Sequence, residues 1–130
     1  LMGVGKPLDI LRAIRSGVDM FDCVLPTRNA RNGQFLTSEG PLNIKNKRFE
    51  FDSSAPDPNC ECRVCKRYSR SYIRHLFNVG EYLAGQLISF HNIYFYLNLV
   101  KSARNAIIEQ NFEKFAQDFE EKYTRNTWKG

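Results

Sequence analysis

The stretch Cys60-Glu61-Cys62-Arg63-Val64-Cys65 sets three thiols within six residues, in Cys-x-Cys-x-x-Cys spacing. Thiolates this close on a turn converge on one tetrahedral zinc ion when a more distant imidazole completes the set. The chain has two histidines, His75 and His91, and spacing alone leaves both open as the fourth ligand. His91 lies in an uncharged segment, where a buried imidazole needs a partner, and this tilts the choice toward it. Four protein ligands leave no position for a reactive water, so one structural Zn2+ per chain is expected. Its work is to hold the cysteine loop, the segment before it and a long helix together. The ordinary alternative is three free thiols beside a core histidine.

Outward from the cysteines, the downstream chain reads as helical over about residues 66–78, 81–110 and 111–123. Residues 83–100 are eighteen in a row without Asp, Glu, Lys or Arg, nearly enough to span a bilayer. Gln86, Ser89, His91, Asn92 and Asn98 interrupt that run, which favours a helix buried in protein and no membrane. Upstream, residues 52–59 carry Ser53, Ser54, Pro56 and Pro58 and read as a loop. Residues 34–51, with the turn signal Ser38-Glu39-Gly40-Pro41, read as a β-hairpin or small antiparallel sheet. Residues 7–16 begin with a proline suited to a first helical turn and repeat Leu8, Leu11 and Ile14 at helical spacing. Residues 18–25 form an apolar run stopped by Pro26 and are expected to be a buried strand. A short helix followed at once by such a strand suggests a β/α repeat.

A length of 130 residues, 42% of them hydrophobic and 13% aromatic, suits a globular domain with a real core rather than a disordered segment. The net charge of +5 is compatible with a nucleic-acid partner without requiring one. The chain opens Leu1-Met2-Gly3-Val4-Gly5 with no initiator methionine, signal peptide or transit peptide, and is expected to be part of something longer. Clustered cysteines without secretory features favour a reducing cytoplasm over disulfides.

Two further groups carry chemistry. Asp22 sits near the end of the strand-like run, just before Pro26-Thr27-Arg28, and the ends of strands face the active-site mouth in β/α barrels. The residue physics alone reads it as a turn-capping aspartate. Arg28 and Arg31, three apart, share one face if their segment is helical, and arginine forks suit phosphates and base edges. The aromatic series Tyr68, Tyr72, Tyr82, Phe90, Tyr94 and Tyr96 reads as core or subunit contact rather than base stacking. Lys101, Arg104 and the terminal basic residues read by default as a solvated face.

The run Gly17-Val-Asp-Met-Phe-Asp-Cys-Val-Leu-Pro-Thr-Arg-Asn-Ala-Arg-Asn-Gly33, together with the cysteine knuckle and the His91-Asn92 pair, resembles the C-terminal part of the bacterial tRNA-guanine transglycosylases, the queuine tRNA-ribosyltransferase family. The resemblance implies an α/β fold: the C-terminal portion of a (β/α)8 barrel with an inserted zinc-binding subdomain of small antiparallel sheet and helices. It divides the chain into the last barrel units (1–33), the hairpin and zinc subdomain (34–92) and C-terminal helices (93–130). It makes Asp22 the nucleophile and His91 the fourth ligand beside Cys60, Cys62 and Cys65. It assigns Lys6, Asp9, Arg28 and Arg31 to RNA binding, and Met2 and Gly3 to the wall of the base pocket. The implied partners are a tRNA with guanine at the anticodon wobble position, a deazaguanine precursor of queuosine, and a second copy of the chain meeting it at Tyr72 and His75. The general acid/base is expected outside this sequence, so the part alone is expected to be inactive. The competing expectation is a non-catalytic zinc-binding RNA adaptor or partner subunit.

Overall fold

The computed structural model describes residues 1–125, in the order α1 (Pro7–Arg15), α2 (Leu25–Arg31), β1 (Gln34–Thr37), β2 (Gly40–Asn43), a 3-10 turn (Lys47–Phe49), α3 (Arg63–Arg67), α4 (Arg70–Asn78), α5 (Tyr82–Ile108) and α6 (Phe112–Arg125). Lys129 and its neighbours, which close the third expected division, lie outside the described residues.

Helix α5 is the axis of the molecule. Its 27 residues extend about 40 Å at 1.5 Å per residue. Ala84, Ile88, His91, Asn92, Phe95, Tyr96, Leu99, Ala103 and Ala106 are its buried positions, and their spacing of mostly three or four keeps them along one stripe. Three groups pack on that stripe in succession. Near its start, Phe35, Leu42, Ile44, Phe49, Val64 and Ile73 surround Ile88 and the cysteines. Next, Ile10 and Leu36 meet Phe95 and Tyr96, backed by Phe119 and Tyr123 of α6. Last, Leu11 and Ala116 close on Leu99 and Ala103. The hairpin and cysteine loop occupy one end of this arrangement, and α1 and α6 the other.

The hairpin forms at the expected turn. Thr37 lies opposite Gly40, so Ser38 and Glu39 make the two-residue loop. The Thr37 hydroxyl donates to the Gly40 carbonyl at 2.6 Å and accepts from the Glu39 N–H at 3.2 Å. Gly40 takes a φ of 113°, a conformation open to glycine at no steric cost. The Gly33 carbonyl accepts from the Ile44 N–H at 2.9 Å, which extends the pairing by one rung.

Three expectations change. Residues 18–25 are not a buried strand: Asp22 makes a single parallel bridge to Met2, and Leu25 already begins α2. Parallel strands are buried where a sheet has both faces covered, and among the described residues the one ladder contact of this segment is the bridge to Met2. Met2, its bridge partner, is 78% exposed. Pro26 does not stop the chain but sits in the first turn of α2, where its missing N–H has no partner to lose. The helix expected over residues 66–78 is two helices. Tyr68 is extended, and Ser69 caps α4 by accepting from the Tyr72 N–H at 3.2 Å, the role Ser plays best. Cys65 lies inside α3, with Cys62 as the residue before its first turn.

Gly5 marks a close approach. A Cβ there would lie 1.8 Å from Cys23 Sγ, and the buried Tyr96 hydroxyl donates to the Gly5 carbonyl. Gly5→Ala is therefore expected to destabilise the protein by about 1–3 kcal/mol through overpacking, read as a lowered midpoint in thermal denaturation. A Gly80→Ala control meets nothing within 4 Å, although its φ of 80° carries its own strain.

Candidate metal centre and strand-end carboxylate

The cysteine loop is anchored before it reaches the metal ligands. The Asp57 carboxylate, buried, accepts from the Ser38 N–H at 2.8 Å, the Ser38 hydroxyl at 2.9 Å and the Asn59 N–H at 3.0 Å. Its carbonyl accepts from the Cys60 N–H at 3.1 Å. Arg70, also buried, donates from Nε and Nη2 to the Pro56 carbonyl at 3.3 and 3.2 Å, and from Nη1 to Asp52 at 3.1 Å. Burial of Asp52 disfavours its charge, but hydrogen bonds from Ser54 and the Arg70 guanidinium outweigh it and hold the carboxyl below its usual range.

Cys60, Cys62, Cys65 and His91 form a compact metal-binding site, their ligand atoms all within 4.8 Å of one another. His91 Nδ1 lies 3.5 Å from Cys62 Sγ and 3.3 Å from Cys65 Sγ. Sulfur at 2.3 Å and nitrogen at 2.0 Å from a tetrahedral zinc stand about 3.6 Å apart, so the donors are already near their coordinated spacing. On the other side of the ring, Nε2 lies 2.9 Å from the Leu36 carbonyl. A carbonyl only accepts, so Nε2 carries a proton, which leaves Nδ1, facing the sulfurs, as the nitrogen for a metal. Backbone N–H groups point at the sulfurs as well: Cys62 N–H to Cys60 Sγ and Cys65 N–H to Cys62 Sγ, both 3.4 Å. His75 is exposed on α4 and is not part of the group. The site is filled by protein donors, fits zinc and has a structural role.

Charge is concentrated here. Hydrogen bonds from Cys60 and Cys65 hold the Cys62 thiol far below its ordinary value, helped by the Cys65 N–H. Cys65 is pushed strongly up by the neighbouring Cys60 and Cys62 sulfurs and by burial. Burial works against a charged His91, but the Cys60 and Cys62 sulfurs prevail and raise its pKa to about 10.

His91 and its neighbour Asn92 also close the outer edge of the hairpin. Phe35 pairs with Leu42 and Leu36 with Pro41. In an antiparallel ladder alternate pairs exchange no hydrogen bonds, so the Leu36 N–H and C=O point outward; Pro41 opposite has no N–H to offer. His91 takes the Leu36 carbonyl. Asn92, fully buried, accepts from the Leu36 N–H at 2.9 Å and donates to the Gln34 carbonyl at 2.9 Å and the Pro26 carbonyl at 3.0 Å. Two helical side chains thereby replace a third strand. Sequence reasoning missed Asp52, Asp57, Arg70 and the role of Asn92. A polar residue beside a ligand histidine in an uncharged helix was the one visible signal.

Asp22 stands at the other end of β1's neighbourhood. Its N–H donates to the Leu1 carbonyl at 3.0 Å and its carbonyl accepts from the Gly3 N–H at 2.9 Å. The backbone is thus pinned between Leu1 and Gly3, and the carboxylate is exposed. Lys6, Asp9 and Arg28 line one groove with Leu25, Gln34 and Pro41, and Asp9 pairs with Arg12 at 3.2 Å. Arg31 is exposed one turn beyond Arg28 on α2 and does not line that groove.

A model of the queuine tRNA-ribosyltransferase family matches residues 1–125. The chain belongs to that family. Similar relatives include queuine tRNA-ribosyltransferases of Helicobacter acinonychis, 53% identical over 95% of this chain, of Helicobacter pylori, 54% identical over 95%, and of Zymomonas mobilis, 53% identical over 95%. The chain spans about a third of the length of each, 33%, 33% and 32% respectively. It matches their C-terminal part. The helices, two-stranded antiparallel sheet and Cys3His group fit the zinc subdomain of the queuine tRNA-ribosyltransferases. Among the described residues no helix is long and apolar enough to cross a membrane.

Proposed function

We propose that the protein to which this chain contributes exchanges guanine at the wobble position of a tRNA anticodon for a deazaguanine precursor of queuosine. The observation that carries this reading is the parallel pairing of Met2 with Asp22, joined through α1, in a chain of this family. Two segments that bridge in parallel on either side of a helix have the connectivity of one β/α/β crossover, which supports residues 1–33 as the last units of a (β/α)8 barrel with Asp22 at a strand end. Residues 34–92 then form the inserted zinc subdomain and 93–130 the closing helices.

In this mechanism the target nucleotide leaves its stack to reach the pocket, whose wall includes Met2 and Gly3. An Asp22 carboxylate oxygen attacks C1′ of the ribose as the glycosidic C–N bond breaks. The bonding pair departs with guanine, which takes a proton from a general acid, and an ester joins RNA and enzyme. The ring nitrogen of the incoming deazaguanine gives up its proton and attacks the same carbon, expelling Asp22 as carboxylate. Two displacements preserve the anomeric configuration. On the family likeness, the general acid and base belong to the rest of the protein, and this part alone is inactive. Lys6, Asp9, Arg28 and Arg31 hold nucleotides flanking the target. Tyr72, 42% exposed and stacked on Tyr68 at 5.6 Å, and the exposed His75 form the contact of a homodimer. The cytoplasm, where tRNA is modified, is the proposed location.

The test is exchange of labelled guanine into tRNA by the whole protein, with Arg28→Ala and Arg31→Ala alongside. Each is expected to weaken tRNA binding and to lower the slope of log affinity against log salt by about 1 where it removes a phosphate contact. Unchanged affinity and slope in both would remove the arginines from the reading.

A further inference from the structure

We propose that Asn92 is a positioning residue for tRNA recognition: it fixes helix α2, and with it Arg28 and Arg31, to the backbone of Leu36, the same residue that His91 of the metal centre holds. The inference rests on the reading of those two arginines as RNA-binding groups.

Helix α2 has only seven residues, and its N-cap Val24 makes no side-chain cap. So short a helix has little stability of its own, and its placement comes from tertiary bonds. The fully buried Ala30 lets α2 lie close to the rest of the core, but an alanine contact does not fix rotation or translation along the axis. Hydrogen bonds do. The Asn92 amide donates at once to Pro26 in the first turn of α2 and to Gln34 at the start of β1. The Gln34 side chain in turn accepts from Asn29 of α2 at 2.6 Å. Arg28 lies between Pro26 and Asn29 in sequence, and Arg31 one turn further on.

His91 and Asn92 are consecutive on α5, so their directions are locked about 100° apart. One faces the sulfurs and the Leu36 carbonyl; the other takes the Leu36 N–H and reaches α2. The metal centre and the arginine helix are therefore referenced to a single residue of β1, through its two flanking peptides. Loss of the Asn92 donors frees α2 to shift while the metal ligands stay in place.

The experiment uses Asn92→Asp in the whole protein. Aspartate keeps the acceptor for the Leu36 N–H and sets an oxygen against the Pro26 and Gln34 carbonyls. The expected result is one zinc per chain, a KM for tRNA raised about tenfold, the scale of one or two lost hydrogen bonds, and kcat and the KM for the free base within about twofold. Asn92→Asp should add little to an Arg28→Ala/Arg31→Ala background, because residues acting through one another are not additive. Asn92→Ala, which brings no repulsion, is the second arm. An unchanged tRNA KM in either variant that carries its zinc overturns the proposal. Loss of the metal or fold in both overturns it too, since Asn92 would then serve the framework rather than the helix. If the two arginine substitutions alone leave the tRNA KM unchanged, it is the reading of the arginines that fails.

Discussion

Asp22→Asn in the whole protein is expected to abolish base exchange, by a factor on the order of 10^4 or more, as for other covalent nucleophiles. An amide has the shape of the carboxylate but no anionic oxygen to attack C1′. The exchange should cost the fold little. Asp22 holds its neighbours through its backbone N–H and carbonyl, to Leu1 and Gly3, and its side chain is exposed. Affinity for tRNA is accordingly expected to stay within about twofold. Two measurements decide it: incorporation of labelled guanine into tRNA, and the RNA–protein adduct seen on a denaturing gel. Exchange at the parental rate would show that the nucleophile lies elsewhere. A non-catalytic adaptor would form no adduct with either residue.

Removing the metal is expected to have the largest effect on stability. His91→Ala, or a strong chelator, should take zinc from one per chain to none and unfold the end of the molecule around Phe35, Phe49, Val64 and Ile73. His75→Ala should keep the metal. In small domains a structural zinc supplies on the order of 10 kcal/mol of folding free energy, comparable with the whole stability of a typical domain. The pH dependence has opposite signs in the two forms. With metal, protons compete for the thiolates, so affinity falls as pH falls, and loading at neutral pH releases protons. Without metal, His91 has its pKa raised from 6.5 to about 10. A raised folded-state value stabilises where the group is protonated in both states, fully below about 6.5, and that contribution is lost as pH rises through 10. Chelator competition and thermal denaturation across pH 6 to 10 check both signs. Metal content that does not respond to His91→Ala would remove this histidine from the site.

The parts of this molecule that were legible in its sequence are those fixed locally. Pro7 at a first turn, the Ser38-Glu39-Gly40 loop and the uncharged run of α5 each carry their instruction within a few residues, and each forms as expected. The three cysteines were legible because metal chemistry constrains their spacing. His91 rather than His75 followed only from its uncharged surroundings and the family likeness. What was not legible depends on partners far along the chain. Residues 18–25 have the composition of a strand, yet a ladder needs a partner segment, and among the described residues the one bridge is to Met2. Arg70 reaches back to Asp52 and Pro56, and Asp57 reaches Ser38. Asn92 meets backbone groups 56 to 66 residues away; no spacing rule announces such bonds. The Ser69 break between α3 and α4 was local, but an apparent helical period ran through it.

The outward groups of Leu36 have a consequence for the crowded cell. An unprotected β edge is a template for any other extended chain, and natural sheets guard theirs with charge, proline or cover. Here the guard is a metal ligand and its neighbour. Where removal of zinc unfolds this end of the molecule, His91 and Asn92 leave β1, and the Leu36 carbonyl and N–H become available to a second molecule's strand. Zinc starvation would therefore convert this subdomain from a folding unit into a seed for aggregation, and the same imidazole that binds the ion keeps newly made chains apart.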